Sequence, residues 1–177
     1  MTSISLFAAS AVVMAMSASG PVAGEQMESV RARDVAADQL LQFGAERSPT
    51  FRALLEDLRL SDVIVYVQVQ QDAESTGGSL QFIGGGGAFR WVLATVGTGS
   101  ARLSSLQENL VALTATLGHE LQHAREVSAA LSIRTAADFD THFRAVGIGV
   151  GRNAVDTDAA RRVGRIVEGE IRGFANP

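Results

Sequence analysis

Between Ser104 and Ala130 apolar residues recur every three or four positions, at Leu106, Leu110, Leu113, Leu117, Leu121 and Ala124. That spacing predicts one long helix, starting near Ser104 or Ser105, with a continuous stripe on one face. A stripe that long must be buried against another layer of structure.

The segments before it supply that layer. Asp62 to Gln71 (DVIVYVQVQQ) alternates β-branched and aromatic residues and reads as a strand. Gly77-Gly78 reads as a turn, and Leu80 to Ile83 and Ala88 to Val96 as two further strands joined through Gly84 to Gly87. A phosphate-binding loop would need a Lys-Ser/Thr pair or an exit from strand to helix, and this glycine run leads from strand to strand. A hairpin connection is the expectation. Upstream, Val30 to Gly44 has helical spacing and ends on glycine, a C-cap signal, and Ser48-Pro49 opens a second helix with Phe51, Leu54, Leu55 and Leu58 as its stripe. Downstream, a short helix is expected over Ala136 to Val146, and a last one over Ala154 to Arg172, with Val155, Ala159, Val163, Ile166 and Val167 on one side. The expected fold is α+β: a small, about three-stranded, mostly antiparallel meander on a long central helix, with N- and C-terminal helices beside it.

A chain of 177 residues fits one domain, or one domain with a removable leader. Ile4 to Met16 is an apolar run without charge, followed by the small residues SASGPVAG. It reads as a signal peptide over 1–24, cleaved between about Ala18 and Gly24, which predicts export and a single domain over 25–177. No Arg or Lys precedes the run, unlike the usual leader. Its 13 residues are too few for a comfortable membrane span. The net charge of -4 gives no basic footprint for nucleic acid. The absence of cysteine excludes disulfide scaffolds, thiol catalysis and Cys-ligated zinc.

Two of the three histidines fall in Thr116 to Glu126, TLGHELQHARE. His119 and His123, four apart on the predicted helix, project from one face a turn apart and can reach one Zn²⁺. Glu120 is rotated by about 100° from His119, beside the metal without being forced onto it. That is the place for a general base taking a proton from water as it attacks a carbonyl.

The stretch GHELQH resembles the active-site helix of zincin metallopeptidases. ELQHAREV, with the later DTDAARRVG, is similar to a group of uncharacterised small exported bacterial zincin-like proteins, over about Ser48 to Ile171. The resemblance implies a bound zinc ion, a sheet of three or more strands whose edge strand receives a peptide or protein substrate, and hydrolysis of amide bonds. On that reading Arg90 to Val96 is the segment expected to pair with substrate backbone. One departure is Arg125, where zincin helices usually carry an apolar residue two positions after the second histidine.

A catalytic zinc needs a third protein ligand. Three ligands on one straight helix would span about 10 Å, so Glu126 is read as orienting a histidine or as a surface charge. His142 is a lesser candidate. Asp156 and Asp158 open the predicted last helix, where carboxylates also cap and complement the dipole. Glutamate-type zincins carry a ligand acid followed three residues on by a small residue, and Asp156-Thr157-Asp158-Ala159 resembles that spacing with Asp for Glu. Asp156 is preferred, with Ala159 and Ala160 allowing close helix approach, and Asp158 stays open. Tyr66, His142 and several arginines are candidate oxyanion donors, among which the sequence does not choose.

Two other classes compete with this reading. A zinc-binding or interaction module with this fold and no turnover fits a chain too small for a deep cleft. A carboxylate-bridged di-iron protein would use Glu120-Leu121-Gln122-His123 as an E-x-x-H motif, but needs a second copy that the sequence lacks.

Overall fold

A computed structural model describes residues 28–70, 76–99, 106–149 and 155–174. The expected signal peptide over 1–24 lies outside them. Along the chain run β1 (Val30–Ala32), α1 (Val35–Arg47), α2 (Pro49–Arg59), β2 (Val63–Gln70), β3 (Thr76–Gly86), β4 (Phe89–Thr98), α3 (Leu106–Ala129), α4 (Ala136–Val146), β5 (Ile148–Gly149), β6 (Val155–Asp156) and α5 (Asp158–Phe174). The domain is α+β, with a four-stranded sheet in the order β1-β2-β4-β3 and a separate β5-β6 pair.

The expected meander is corrected to a mixed sheet. β1, β2 and β4 run parallel, and only β3 is antiparallel, hairpinned onto β4. β2 and β4 pair directly, Val63 opposite Arg90 through Gln70 opposite Gly97, because each buries an apolar row on the same face. Val63, Val65 and Val67 on β2 and Val92, Ala94 and Val96 on β4 are all fully buried. Gly77-Gly78 is not a turn but lies within β3. The hairpin does turn in the expected glycine run, at Gly87, whose φ of 59° lies in the left-handed region that favours glycine.

The N-terminal helix also starts later than expected. Val30, Arg31 and Ala32 pair with Val65, Tyr66 and Val67, and the helix begins only after Asp34, whose Oδ1 accepts from the Ala37 amide at 2.8 Å. Oδ2 of the same carboxylate accepts from the Val69 amide at 3.0 Å, tying that cap to β2. Gly44 does not end α1. It is buried inside the helix, where a β-carbon would sit 2.8 Å from the Phe51 ring. Ser48 closes α1 and caps α2 ahead of Pro49, as the sequence predicts, accepting from the Phe51 amide at 3.0 Å.

α3 packs on β2, β3 and β4 and also on α1, α2 and α5. Leu117, Leu121, Ala124 and Val127 meet the sheet valines and Phe51, Leu54 and Leu58 in one core, which α5 joins through Val167 and Ile171. Within α5, Ile166 is exposed, and so is Ala159. α5 crosses α3 through small residues instead: Ala160 is fully buried, and a β-carbon on Gly118 would lie 3.0 Å from Val167. Among the described residues no helix is long and apolar enough to cross a membrane.

Candidate metal centre

Midway along α3 the start of α5 packs beside His119 and β3 beside Glu120, so the motif is largely buried although it lies off the apolar stripe, His119 only in part. Glu120, Gln122 and His123 are 4%, 6% and 6% exposed. His119 and His123 stand one turn apart with ring centroids 4.9 Å apart, nearly edge to face. Both turn Nε2 toward one atom, Oδ1 of Asp156, at 3.1 Å and 3.4 Å.

Asp156 is held there by extended backbone, which corrects the helix start expected at Ala154. It lies in β6, opposite Ile148 of β5, and the helix begins at Asp158. The cap is Thr157, whose hydroxyl accepts from the Ala160 amide at 3.1 Å. The same hydroxyl donates to Oε1 of Glu126 at 2.8 Å. Oε2 of Glu126 lies 2.9 Å from Nδ1 of His123, so the Glu126 carboxylate joins the α5 cap to the orientation of one imidazole. Arg161 holds the other Asp156 oxygen, its Nε donating to Oδ2 at 2.8 Å, and the Thr157 amide donates to Oδ1 at 2.7 Å.

His119, His123 and Asp156 each offer a ligand atom within 4.8 Å of the others. An ion with tetrahedral bonds of about 2.0–2.1 Å spaces its ligands about 3.3 Å apart. The separations of 3.1 Å and 3.4 Å match that spacing, and two imidazole nitrogens with one carboxylate oxygen suit a divalent transition metal. The donor set fits the ion that the sequence implies.

Glu120 points elsewhere, against β3. A β-carbon on Gly78 would sit 2.7 Å from Cγ and 2.8 Å from Cδ of Glu120, so only glycine lets the carboxylate lie there. It accepts no hydrogen bond from the described residues and borders a cleft of about 500 Å³, which Gly77, Gly78, Thr116, His119 and Gly164 also line. Gly164 brings α5 close: a β-carbon there would meet Cβ of His119 and the Ala115 carbonyl, each at 3.4 Å.

Burial pushes the Glu120 carboxyl up to about 7. Burial also lowers His119 against the pull of Asp156. For His123, burial acts downward, but the hydrogen bond with Glu126 and the neighbouring carboxylates outweigh it and the pKa is raised. Burial would raise Asp156 and Glu126. Arg161 and His119 overcome it at Asp156, and His123 and Thr157 do so at Glu126, leaving both below the usual carboxylate range.

Of the other candidates, Asp158 is an exposed first residue of α5, and His142 packs its ring edge-on to Phe143 at 5.3 Å; neither joins the cluster. Tyr66 lies under the Arg31 guanidinium at 5.9 Å and does not line the cleft. Arg125 reaches across to Asp57 of α2 at 2.8 Å. The segment Arg90 to Val96 cannot receive substrate, because β4 is paired on both sides. Among the described residues, the sheet edge next to Glu120 belongs to β3. Sequence reasoning missed Thr157, Arg161, Gly78 and Gly164. The only signal was small residues at four-residue spacing in α5, Ala160 and Gly164.

These features define an α+β domain with a convergent His-His-Asp cluster beside a buried carboxylate. No protein-family model, curated protein or solved structure matches the chain.

Proposed function

We propose that this protein is a zinc-dependent hydrolase that cleaves peptide bonds, with Glu120 as general base. The observation that carries the reading is the pairing of two features: three ligand atoms converge within 4.8 Å, and Glu120, lacking a hydrogen-bond donor among the described residues, lines a cleft together with the ligand His119. The resemblance of GHELQH to the zincin helix, and the expected leader, favour an exported peptidase of that kind.

His119, His123 and Asp156 would hold the zinc, which when bound supplies Lewis acidity toward a carbonyl and acidifies a water. Glu126 fixes His123 by its Nδ1 and leaves Nε2 to the cluster. Arg161 keeps Asp156 ionised and aimed. Glu120, raised to about 7 and near enough to His123 and Asp156 to feel their charge, would take a proton from the attacking water and return it to the departing amine near neutral pH. The side of β3 next to Glu120, unpaired among the described residues, would offer backbone groups to an extended peptide.

Glu120→Gln separates turnover from binding. The expected outcome is hydrolysis of a mixed peptide library reduced at least about 100-fold with zinc still bound. A variant as active as wild type would overturn the assignment of Glu120. A wild type that binds zinc and cleaves no peptide would favour the zinc-holding module instead.

A further inference from the structure

We infer that Arg165 anchors a carboxylate of the substrate, so that the cleft selects acidic peptides; this rests on the hydrolase reading above.

The charges lining the cleft divide into those already used and one that is not. Arg161 is committed to Asp156 at 2.8 Å. Glu168 is committed to Arg172, which donates from Nε at 3.0 Å and from Nη2 at 2.8 Å, both to Oε1. Arg165 lines the same cleft, is exposed, and has no hydrogen bond or ion pair with the described residues. It follows Gly164, where a β-carbon would lie 3.4 Å from Cβ of His119, on the α5 face shared with Arg161 and Glu168. Across the cleft Gly77, Gly78, Ala112, Ala115 and Thr116 carry no charge, and Glu120, the proposed base, is the one acidic side chain among the described residues of that wall. Ala112 and His119 stand seven positions apart on α3, about 10 Å, which an extended peptide covers in about three residues. A guanidinium there presents a planar pair of donors to a carboxylate lying within that reach of the bond cut.

The carboxylate has two sources, an Asp or Glu side chain or the peptide's own C-terminus. The test uses peptides matched Asp for Asn at each position, each with a free and an amidated C-terminus, hydrolysed by wild type, Arg165→Ala and Arg165→Glu. The expected result is a preference of about fivefold for the carboxylate peptide, abolished in Arg165→Ala, reversed in Arg165→Glu and weakened by 0.5 M salt. The Asp/Asn arm responds if a side chain is read, and the amidation arm if the terminus is. Cleavage without charge preference, or a preference that survives both substitutions, overturns the role of Arg165 and leaves the hydrolase reading standing. If no peptide is cleaved, that reading fails by itself. The anchor is then judged by calorimetric binding of the Asp peptide to metal-free protein: weaker binding to Arg165→Glu supports it, and equal binding overturns it.

Discussion

α3 carries two buried polar clusters, two turns apart, and they are built on opposite principles. At the C-terminal end Arg90, fully buried, donates to the Val127 carbonyl at 2.6 Å, the Ala130 carbonyl at 2.9 Å and the Ser128 carbonyl at 3.2 Å, while Nε reaches Asp62 at 2.9 Å. The orphan carbonyls of a helix end and the charge of one side chain satisfy each other completely. In the middle of the helix the arrangement is open. His119, His123 and Asp156 aim at one point, and among the described residues Glu120 has no donor. A closed cluster holds elements together, whereas an open one leaves capacity for a group the chain does not itself supply. Burial does not separate the two; where the spare lone pairs point does.

That contrast can be broken first at Arg90. Arg90→Met should destabilise the fold by about 3–5 kcal/mol in urea unfolding, since it leaves Asp62 with only Arg134 at 3.5 Å and several carbonyls unpaired. His119→Ala in metal-free protein should change stability by less than about 1 kcal/mol. Equal losses at the two sites would erase the distinction.

Glu126→Gln sharpens it, because Glu126 supports the open cluster from outside, through His123 Nδ1 and the Thr157 hydroxyl. Zinc affinity should fall about 10–100-fold in competition with a chelator, while unfolding in the absence of metal moves little. Gly78→Ala should leave affinity nearly intact yet lower peptide hydrolysis at least about tenfold, by forcing Glu120 off β3. Affinity falling with activity would show that Glu120 is not separate from the ligand set.

The smallest effect concerns another closed cluster. Glu170 accepts from the Thr50 amide at 3.1 Å and the Thr50 hydroxyl at 2.7 Å, and from Ser48 as well. Burial would raise its pKa, but these bonds outweigh it and hold it low. Its folded pKa lies below the unfolded one, so the stabilisation is present above the unfolded pKa and lost as pH falls through the folded value. Wild type should exceed Glu170→Gln by about 1 kcal/mol at neutral pH, the gap closing in acid. A gap that stays constant with pH would contradict the ionised bond.

The sequence carried whatever depends on local rules. The long helix, the Ser48-Pro49 cap, the bounds of α4 and the glycine hairpin were all legible from periodicity and turn chemistry. What depends on distant partners was not. Val30 to Ala32 reads as helix until β2 lies beside it. Gly77-Gly78 reads as a turn because no local signal marks the Glu120 carboxylate that requires glycine there. Parallel pairing of β2 with β4 leaves no trace in period-two alternation. At the centre, His119, Glu120 and His123 could be singled out by spacing on one helix. Asp156 could only be ranked among acids, since its place follows from the β5-β6 pair and the Thr157 cap.

The central claim is that His119, His123 and Asp156 share one divalent ion. Elemental analysis of the purified protein after dialysis, wild type beside Asp156→Ala, measures it directly. About one zinc per chain is expected in wild type, and at least tenfold weaker retention in the variant. A wild type that keeps no metal, or a variant that keeps it equally well, would contradict the account.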